Sequence, residues 1–449
     1  MNLDLIIFVI IWFLRLKKKQ KKINFFNMAT IKNIQAYEII DSRGFPTIEG
    51  KLILADGRQV ATSIPSGISV GKNEAVELRD RDPNRFEGMG VSKPISYINN
   101  LIAPKLAGVS PLKQVEVDNW LIKADGTKDK SRLGANTILA ISQLFVKAGA
   151  LVSNQPVFQY INSLYEKIFK EKINLERIPT PIFTLINGGS HSNNQLDFQE
   201  FQVIPSSSNN FSTAYQKGVE LFHQLKKILE FRNANISVGI EGGFTPNLAT
   251  NLDGLDILIE TINKKKLRLG IDIFLGLDIA ANHFFDNNYY HIKDRQQPLS
   301  SDKYLEFILK LLENYRIIVL EDPVAENDWK SWQKLNSQLS QETYLVGDDL
   351  LSTNKDLLTK AIKENVCNSL VIKPNQIGTV SEVMEVFHLA KKNNFTAIIS
   401  HRSGETTDDF IADLAVGLQA DFVKFGAPSR GECVVKYNRL WQIERDELK

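Results

Sequence analysis

Six apolar runs in the second half of the chain each end in a polar side chain, and this regularity constrains the fold more than any other feature. The runs are IFLGLD, RIIVLED, TYLVGDD, SLVIK, TAIISHRS and DFVKFG, and their polar ends are Asp278, Glu321 with Asp322, Asp348 with Asp349, Lys373, His401 and Lys424. Short apolar runs of this kind are typical of buried parallel strands. A charged group at the end of such a buried strand is unfavourable unless something at that position requires the charge.

Helix-like segments separate the later strands, namely NKDLLTKAIKEN, TVSEVMEVFHLAKKN and TTDDFIADLAVGL. From Asp348 the steps are 25 residues to Lys373, 28 to His401 and 23 to Lys424. This spacing predicts repeated βα units, which can close into an eight-stranded barrel. The active site of such a barrel lies at the carboxyl ends of its strands, where the six polar groups would form a ring.

The earlier part of the chain has a different pattern. PTIEGKLILA is strand-like and GANTILAISQLFVKAGALV is helix-like, whereas strands and amphipathic helices alternate only after LERIPTP. We therefore predict an α/β protein with an N-terminal α+β domain over residues 28–165 and a β/α barrel over residues 170–449.

Residues 1–27 do not fit either domain. The apolar run LDLIIFVIIWFL is shorter than the roughly 20 residues that a membrane-spanning helix needs. The basic stretch RLKKKQKK follows it, whereas a signal peptide has its positive charge first. We expect this segment to lie outside the fold, as a mis-called start or, second, as a short membrane-surface anchor.

Composition excludes several classes of function. The 449 residues include 54 basic and 52 acidic side chains, so no overall positive field would attract nucleic acid. The two cysteines, Cys367 and Cys433, are far apart and cannot form a disulfide framework, which fits a reducing cytoplasm. The sequence has neither a Walker lysine nor a GxGxxG motif after a strand, so it does not support nucleotide binding.

The strand-end residues point to a particular chemistry. Asp278, Glu321 and Asp348 would meet as hard oxygen ligands, which favours Mg²⁺ over zinc. Lys373 and Lys424 beside such an ion would attract an anionic substrate, and burial among cations would push a lysine toward its neutral, basic form. One aspartate at a strand end is most often only solvated, but six such ends together favour a site for enolate chemistry.

Longer stretches carry a family resemblance that runs from Met28 to near the C-terminus. They are DSRGFPTIEG, PSGISVGKNEAVELRD, LGANTILAIS, LINGGSHSNNQLDFQEF, EGGFTPN, GLDIAA, LEDPVAENDW, VGDDLLSTN, IKPNQIGT, SHRSGETTDDFIADLAVG and KFGAPSRGECVVKYNRL. Together they resemble enolase, the glycolytic phosphopyruvate hydratase. The resemblance implies an N-terminal capping domain with a mobile active-site loop, a barrel of the enolase type, and reversible dehydration of 2-phospho-D-glycerate to phosphoenolpyruvate.

The resemblance also implies catalytic roles. Lys373 matches the base that removes the C2 proton, and Glu241 matches the acid that protonates the departing C3 hydroxyl, a role that requires a raised pKa. Glu200, His191 and His401 match other catalytic positions around the reacting end of the substrate.

Metal and substrate contacts follow from the same matches. Asp278, Glu321 and Asp348 match the ligands of one Mg²⁺, and Ser69 matches a mobile-loop ligand of a second. The substrate-binding matches are Ser69, His191, Gln199, Glu200, Arg402, Ser403 and Lys424. A homodimer in the cytoplasm is expected. Secretion or cell-surface display, with a surface partner such as plasminogen bound through lysines including Lys449, is the alternative.

Several positions depart from the family pattern. Ile240 precedes Glu241 where an acidic residue is usual, and His283 stands where a glutamate is usual. Ile68 and Val70 flank Ser69 where a small residue and a threonine are usual. These departures keep open a paralogue that acts on a related phosphonate or phosphorylated acid.

Overall fold

A computed structural model describes residues 30–67, 71, 73–339 and 342–448. The expectations for residues 1–27, for Ile68, Ser69 and Val70 in the first loop, and for Lys449 therefore lie outside the described residues.

The chain begins with a three-stranded antiparallel sheet in the order β1-β2-β3. Its strands are β1 (Ile31–Ile40), β2 (Pro46–Leu54) and β3 (Gln59–Ser63). Five helices follow: α1 (Ser92–Ser96), α2 (Ala103–Leu106), α3 (Gln114–Asp125), α4 (Ala135–Ser153) and α5 (Val157–Phe169). Helices α1, α2 and α4 pack on the sheet, α3 packs on α4, and α5 packs on α4 and on the later helix Phe410–Gly417. Strand and helix share one apolar core, in which Leu144 of α4 lies against Gly50 of β2.

Helix α4 is the centre of this N-terminal part. Among the described residues it is the one helix long and apolar enough to cross a membrane, with a mean hydropathy of 1.4. However, 83% of it is buried inside the folded molecule, as expected of a core helix.

Eight strands form a closed barrel in the second part of the chain. They are β4 (Thr180–Asn187), β5 (Glu200–Pro205), β6 (Ile273–Asp278), β10 (Ile317–Glu321), β11 (Tyr344–Gly347), β12 (Ser369–Ile372), β13 (Thr396–Ser400) and β14 (Phe422–Lys424). Each of the six predicted strands is present and ends at the predicted polar group or directly before it. A small sheet follows β6, made of β7 (Phe285–Asp286), β8 (Tyr289–Tyr290) and β9 (Leu299–Ser300).

Strand β5 runs antiparallel to both of its neighbours, unlike the other barrel strands. Its first residue, Glu200, pairs with Asp278, the last residue of β6. An acidic group at the start of a strand is thereby brought to the same end of the barrel as the groups that end the parallel strands.

Helices surround the barrel and cover the outer faces of its strands. They are α6 (Phe211–Phe231), α7 (Asn251–Lys264), α8 (Ser301–Asn314), α9 (Trp329–Gln338), α10 (Lys355–Glu364), α11 (Val380–Lys392), α12 (Phe410–Gly417) and α13 (Gly431–Asp446). Local sequence fixes where several of them begin. Thr250 and Asp253 form a capping box at the start of α7, and the Asn354 side chain accepts hydrogen bonds at the start of α10.

The N-terminal part contacts the carboxyl end of the barrel. Ser66 and Gly404 exchange two backbone hydrogen bonds, and the Ala75 amide donates to the Gln376 carbonyl at 2.8 Å. The first domain therefore lies over the end of the barrel where the polar groups converge.

Candidate active site

One small cavity lies among the polar groups at the carboxyl end of the barrel. Its lining comprises Glu74, His191, Gln199, Glu200, Glu241, Asp278, Ala280, His283, Asp322, Asp348, Asp349, Lys373, Ser400, His401, Arg402, Ser403 and Lys424. Of the sequence-predicted site residues, Ser69 is outside the described part and Glu321 lies just behind the lining, in contact with Lys424. The cavity volume is about 30 Å³, which is room for a water molecule or two. The polar side chains of the lining therefore fill most of this space themselves.

Lys424 lies at the base of the cavity, surrounded by carboxylates. Its Nζ is 2.8 Å from both Glu321 oxygens, 3.2 Å from Glu200 Oε1 and 3.3 Å from Asp278 Oδ2. Burial lowers the pKa of Lys424, but the three carboxylates outweigh it and hold that pKa well above its usual value. Lys424 is thus a fixed positive charge.

Lys373 follows β12 and its ammonium group donates to Asp348. Burial lowers the pKa of Lys373, yet the Asp348 carboxylate outweighs burial and the net pKa is raised. The expectation of a lysine pushed toward neutrality is not met in this arrangement, because the sequence did not reveal how closely Asp348 would pair with it.

Glu241 lies between two histidines of the cavity lining. Its carboxylate oxygens are 3.3 Å from His191 Nδ1 and 3.4 Å from His401 Nε2. Burial raises the pKa of Glu241, but the histidines outweigh it and hold the pKa well below the usual value. The raised pKa expected here is found instead at Glu200, where burial and the nearby Glu241 charge raise the pKa to about 7.

Arg402 and Ser403 follow β13 and line the same cavity. Arg402 Nη1 donates to Glu74 Oε2 at 2.8 Å, and both side chains are buried. The guanidinium also lies against the loop before Glu74, since a Cβ on Gly67 would come within 1.9 Å of Arg402 Nη2. Glycine is therefore required at residue 67 for this close approach.

Three acidic lining residues were not assigned a role from the sequence. Asp322 and Asp349 directly follow the assigned Glu321 and Asp348, so their adjacency to strand ends was an available signal. Glu74 had no comparable signal, because only the folded chain brings it from the N-terminal part to Arg402.

The donor set fits a divalent cation. Among the described residues in or behind this lining, seven carboxyl groups belong to the barrel, whereas the permanently charged cationic side chains are three: Lys373, Arg402 and Lys424. The seven are Glu200, Glu241, Asp278, Glu321, Asp322, Asp348 and Asp349. Burial and mutual repulsion raise the pKa of Glu321, Asp322 and Asp349, in the last case to about 7. Such excess negative charge is what a bound metal ion would neutralise.

The expected metal ligands do not form one group. Asp278 and Glu321 face the Lys424 ammonium, which lies among them as a cation would. Asp348 groups with Asp322 and Asp349, with one oxygen of each within 4.8 Å of the others. Oxygen donors of this kind are able to hold a metal ion.

Comparisons with known proteins agree with this geometry. Residues 31–161 match the family model "Enolase, N-terminal domain", and residues 176–449 match "Enolase, C-terminal TIM barrel domain". The chain belongs to the enolase family. It is 44% identical to the enolase of Ehrlichia canis (strain Jake) over 416 residues, which cover 93% of this chain and 96% of the relative.

Two further enolases show the same breadth of similarity. The enolase of Ehrlichia ruminantium (strain Welgevonden) is 45% identical over 420 residues, covering 93% of this chain and 97% of that protein. The enolase of Helicobacter pylori (strain ATCC 700392 / 26695) is 41% identical over 423 residues, covering 94% and 97%. As a member of this family the chain is a lyase, a phosphopyruvate hydratase of glycolysis.

Proposed function

We propose that the cavity at the carboxyl end of the barrel catalyses the reversible dehydration of 2-phospho-D-glycerate to phosphoenolpyruvate. One observation carries the proposal: Lys373, Lys424 and Arg402 converge with a carboxylate-rich cluster in a chain of the enolase family. The two lysines and the arginine supply positive charge for a substrate that has both a carboxylate and a phosphate.

Lys373 is the proposed base for the C2 proton. A proton next to a carboxylate is barely acidic, because its removal adds negative charge to a group that is already ionised. Lys424, held charged by its carboxylate neighbours, lies where it would stabilise that developing charge. Lys373 must itself lose a proton first, and Asp348 is the group whose charge opposes this loss.

The acid side of the site is a cluster of Glu200, His191, Glu241 and His401. One ligand atom from each of the first three lies within 4.8 Å of the others, so the charge of each group affects the protonation of its neighbours. Glu241 is the proposed donor to the departing C3 hydroxyl, which leaves as water. Glu200, with a pKa of about 7, is the carboxyl that holds a proton near neutral pH and can resupply it.

Two Mg²⁺ ions are proposed as cofactors. Asp278, Glu321 and Asp348 would hold one ion, for which Asp278 and Glu321 would turn from Lys424, and Asp348 from Lys373, toward a common point. Ser69 would contribute to the second ion. When bound, Mg²⁺ would neutralise carboxylate charge and stabilise negative charge on the substrate. Arg402 and Ser403 would bind the phosphate, and Gln199 and His191 would line the reacting end.

Exchange of the C2 proton tests the division between base and acid. Lys373→Ala should reduce both product formation and exchange of the C2 proton with solvent deuterium by several orders of magnitude, because the base is lost. Glu241→Gln retains the base, so exchange should continue while phosphoenolpyruvate formation fails. Absorbance of the enol product and deuterium incorporation by NMR measure the two.

The outcomes separate the alternatives. If Glu241→Gln abolished exchange as fully as Lys373→Ala, the division of roles would be wrong. If the unaltered protein formed no product from 2-phospho-D-glycerate at any Mg²⁺ concentration, a paralogue acting on a related phosphonate or phosphorylated acid would replace this proposal.

The proposal extends to the organisation of the protein. Residues 28–165 and 170–449 are the proposed domains, with residues 1–27 outside them. The family matches over residues 31–161 and 176–449 support those boundaries. A cytoplasmic homodimer with a small phosphorylated acid as substrate is the proposed working form, and a surface partner is a secondary proposal.

A further inference from the structure

A chain of side-chain hydrogen bonds begins at His283 and ends at Asp278. His283 Nε2 lies 3.3 Å from Ser190 Oγ, and Ser190 Oγ lies 2.8 Å from Gln199 Oε1. Gln199 Nε2 in turn donates to Asp278 Oδ2 at 3.1 Å. His283 is held at the cavity rim by the short 3₁₀ turn Ala281–Phe284, which follows β6.

The direction of each bond in this chain is determined. Asp278 Oδ2 also accepts from Lys424, so it is an acceptor and the amide group of Gln199 must turn its NH₂ toward it. Gln199 Oε1 then faces Ser190 and accepts its single hydroxyl hydrogen. Ser190 Oγ has no further hydrogen to give, so the bond to His283 requires a hydrogen on His283 Nε2.

We propose that His283 is a positioning residue that reinforces, through Ser190, the orientation of the Gln199 amide that Asp278 requires. This inference rests on the proposed function, because it concerns the side chains that line the reacting end of that site. Without a donor at residue 283, Ser190 would be free to turn its hydroxyl away. Gln199 would then lose one of the two bonds, to Ser190 and to Asp278, that together hold its amide in this orientation.

The backbone around Ser190 is fixed independently of His283. The Gly188 amide donates to the Gln199 carbonyl at 2.9 Å, and the Gly189 amide donates to the Leu196 carbonyl at 3.0 Å. Replacing His283 should therefore change side-chain orientation while leaving the path of the loop intact, which separates positioning from folding.

The residue type at position 283 determines the direction of the hydrogen bonds that run from this position to Asp278. A glutamine can supply an N–H where His283 Nε2 stands, whereas an ionised glutamate only accepts hydrogen bonds. Glutamate would draw the Ser190 hydroxyl to itself and leave Gln199 Oε1 without its donor. His283 therefore produces the opposite bond direction from the one that a glutamate at this position would produce.

Four variants test the inference: His283→Leu, His283→Glu, His283→Gln and Ser190→Ala. We expect a loss of about three- to tenfold in kcat/KM for His283→Leu, His283→Glu and Ser190→Ala, the size of one net hydrogen bond. His283→Gln should stay within about twofold of the unaltered protein, because it restores the donor. The double variant His283→Leu with Ser190→Ala should be no worse than either single change, since both break the same chain.

Mg²⁺ binding measured by calorimetry without substrate provides a second readout. His283→Leu and Ser190→Ala should weaken it by a few fold through Asp278, and His283→Gln should not. His291→Leu is the matched control, because His291 is exposed directly after β8 and lies outside the cavity lining.

The outcomes are decisive in either direction. A glutamine variant as impaired as the leucine variant, additive losses in the double variant, or unchanged kinetics and Mg²⁺ binding in all four would each overturn the role of His283. If the unaltered protein did not turn over 2-phospho-D-glycerate, the proposed function would fail, while the Mg²⁺ measurements would still test the chain from His283 to Asp278. Should His283→Leu fold poorly, Ser190→Ala carries the same test.

Discussion

Ile240 places a neutral side chain directly beside the proposed acid. The Glu241 backbone is fixed from outside this turn, because the Ala427 amide donates to the Glu241 carbonyl at 2.9 Å. Ile240 itself is only half-buried, so a polar side chain could be accommodated there. The charge state of Glu241 is then set by His191 and His401 with no acidic neighbour in sequence.

Ile240→Asp should move the pH dependence of turnover. A second carboxylate beside Glu241 would raise the pKa of Glu241 by repulsion, so the acid would hold its proton to higher pH. The pH profile of kcat should shift toward higher pH while KM for 2-phospho-D-glycerate stays nearly constant, as measured by initial rates across the whole pH range in which the protein stays folded. Ile240→Asn adds similar bulk without charge, and an identical profile for the two variants would show that residue 240 acts only through packing.

At the scale of single elements, the strands that could be predicted from the sequence are those whose carboxyl ends carry residues of the site. A buried parallel strand shows both its apolar run and the polar group after it, which is why Asp278 and Lys373 could be placed. Glu200 does not follow this pattern, because β5 is antiparallel to its neighbours and the residue of β5 that lies in the site is therefore its first one. Only the resemblance indicated Glu200, since no local pattern distinguishes an antiparallel barrel strand.

The pKa values of the site residues were harder to predict from the sequence than the positions of the strands. The sequence places Lys373 and Asp348 at adjacent strand ends, but which oxygen meets which ammonium depends on side-chain conformations that spacing does not determine. The same limitation applies to Glu241, whose pKa depends on two histidines from distant segments.

Helix α6 depends on a glycine where it packs on the barrel. A Cβ at Gly218 would lie 2.4 Å from the Phe183 ring, which is fully buried in β4. Alanine is ordinarily favoured over glycine inside a helix by about 1 kcal/mol. Here overpacking would cost about 1–3 kcal/mol, because the buried Phe183 ring would have to shift to make room for the methyl group.

Gly218→Ala should therefore lower the free energy of unfolding despite its better helix propensity. Urea denaturation followed by circular dichroism should show a lower midpoint with an unchanged slope. Gly431→Ala in the first turn of α13 is the control, since no heavy atom lies within 4 Å of a Cβ at that position. A stabilised Gly218→Ala variant would mean that α6 and β4 can separate without cost.

The whole molecule is joined along a polar seam between the N-terminal helices and the barrel. Asp118 of α3 is completely buried there, and it accepts hydrogen bonds from the Ser381 amide at 3.1 Å and the Ser381 hydroxyl at 2.6 Å. Gln114 Nε2 also donates to both Asp118 oxygens. One carboxylate thereby links the first domain to the start of α11.

Burial raises the pKa of Asp118 to about 6, because its hydrogen bonds compensate only part of the desolvation. A carboxyl with a folded-state pKa above its unfolded value binds more protons in the folded state between those two values. Its contribution to stability is therefore greatest below the unfolded pKa, and it is lost as pH rises through about 6.

Asp118→Asn should remove this pH dependence. The variant also loses hydrogen bonds, which changes its unfolding free energy at every pH. The informative quantity is therefore how the difference in unfolding free energy between the unaltered protein and the variant changes with pH. From pH 5 to pH 7 the unaltered protein should lose about 1 kcal/mol relative to Asp118→Asn, as measured by urea denaturation at both pH values. Glu116→Gln, on the exposed face of the same helix, should show no such change. If the difference between the unaltered protein and Asp118→Asn were the same at both pH values, Asp118 would not titrate in this range, and the seam would hold the two domains together without sensing pH.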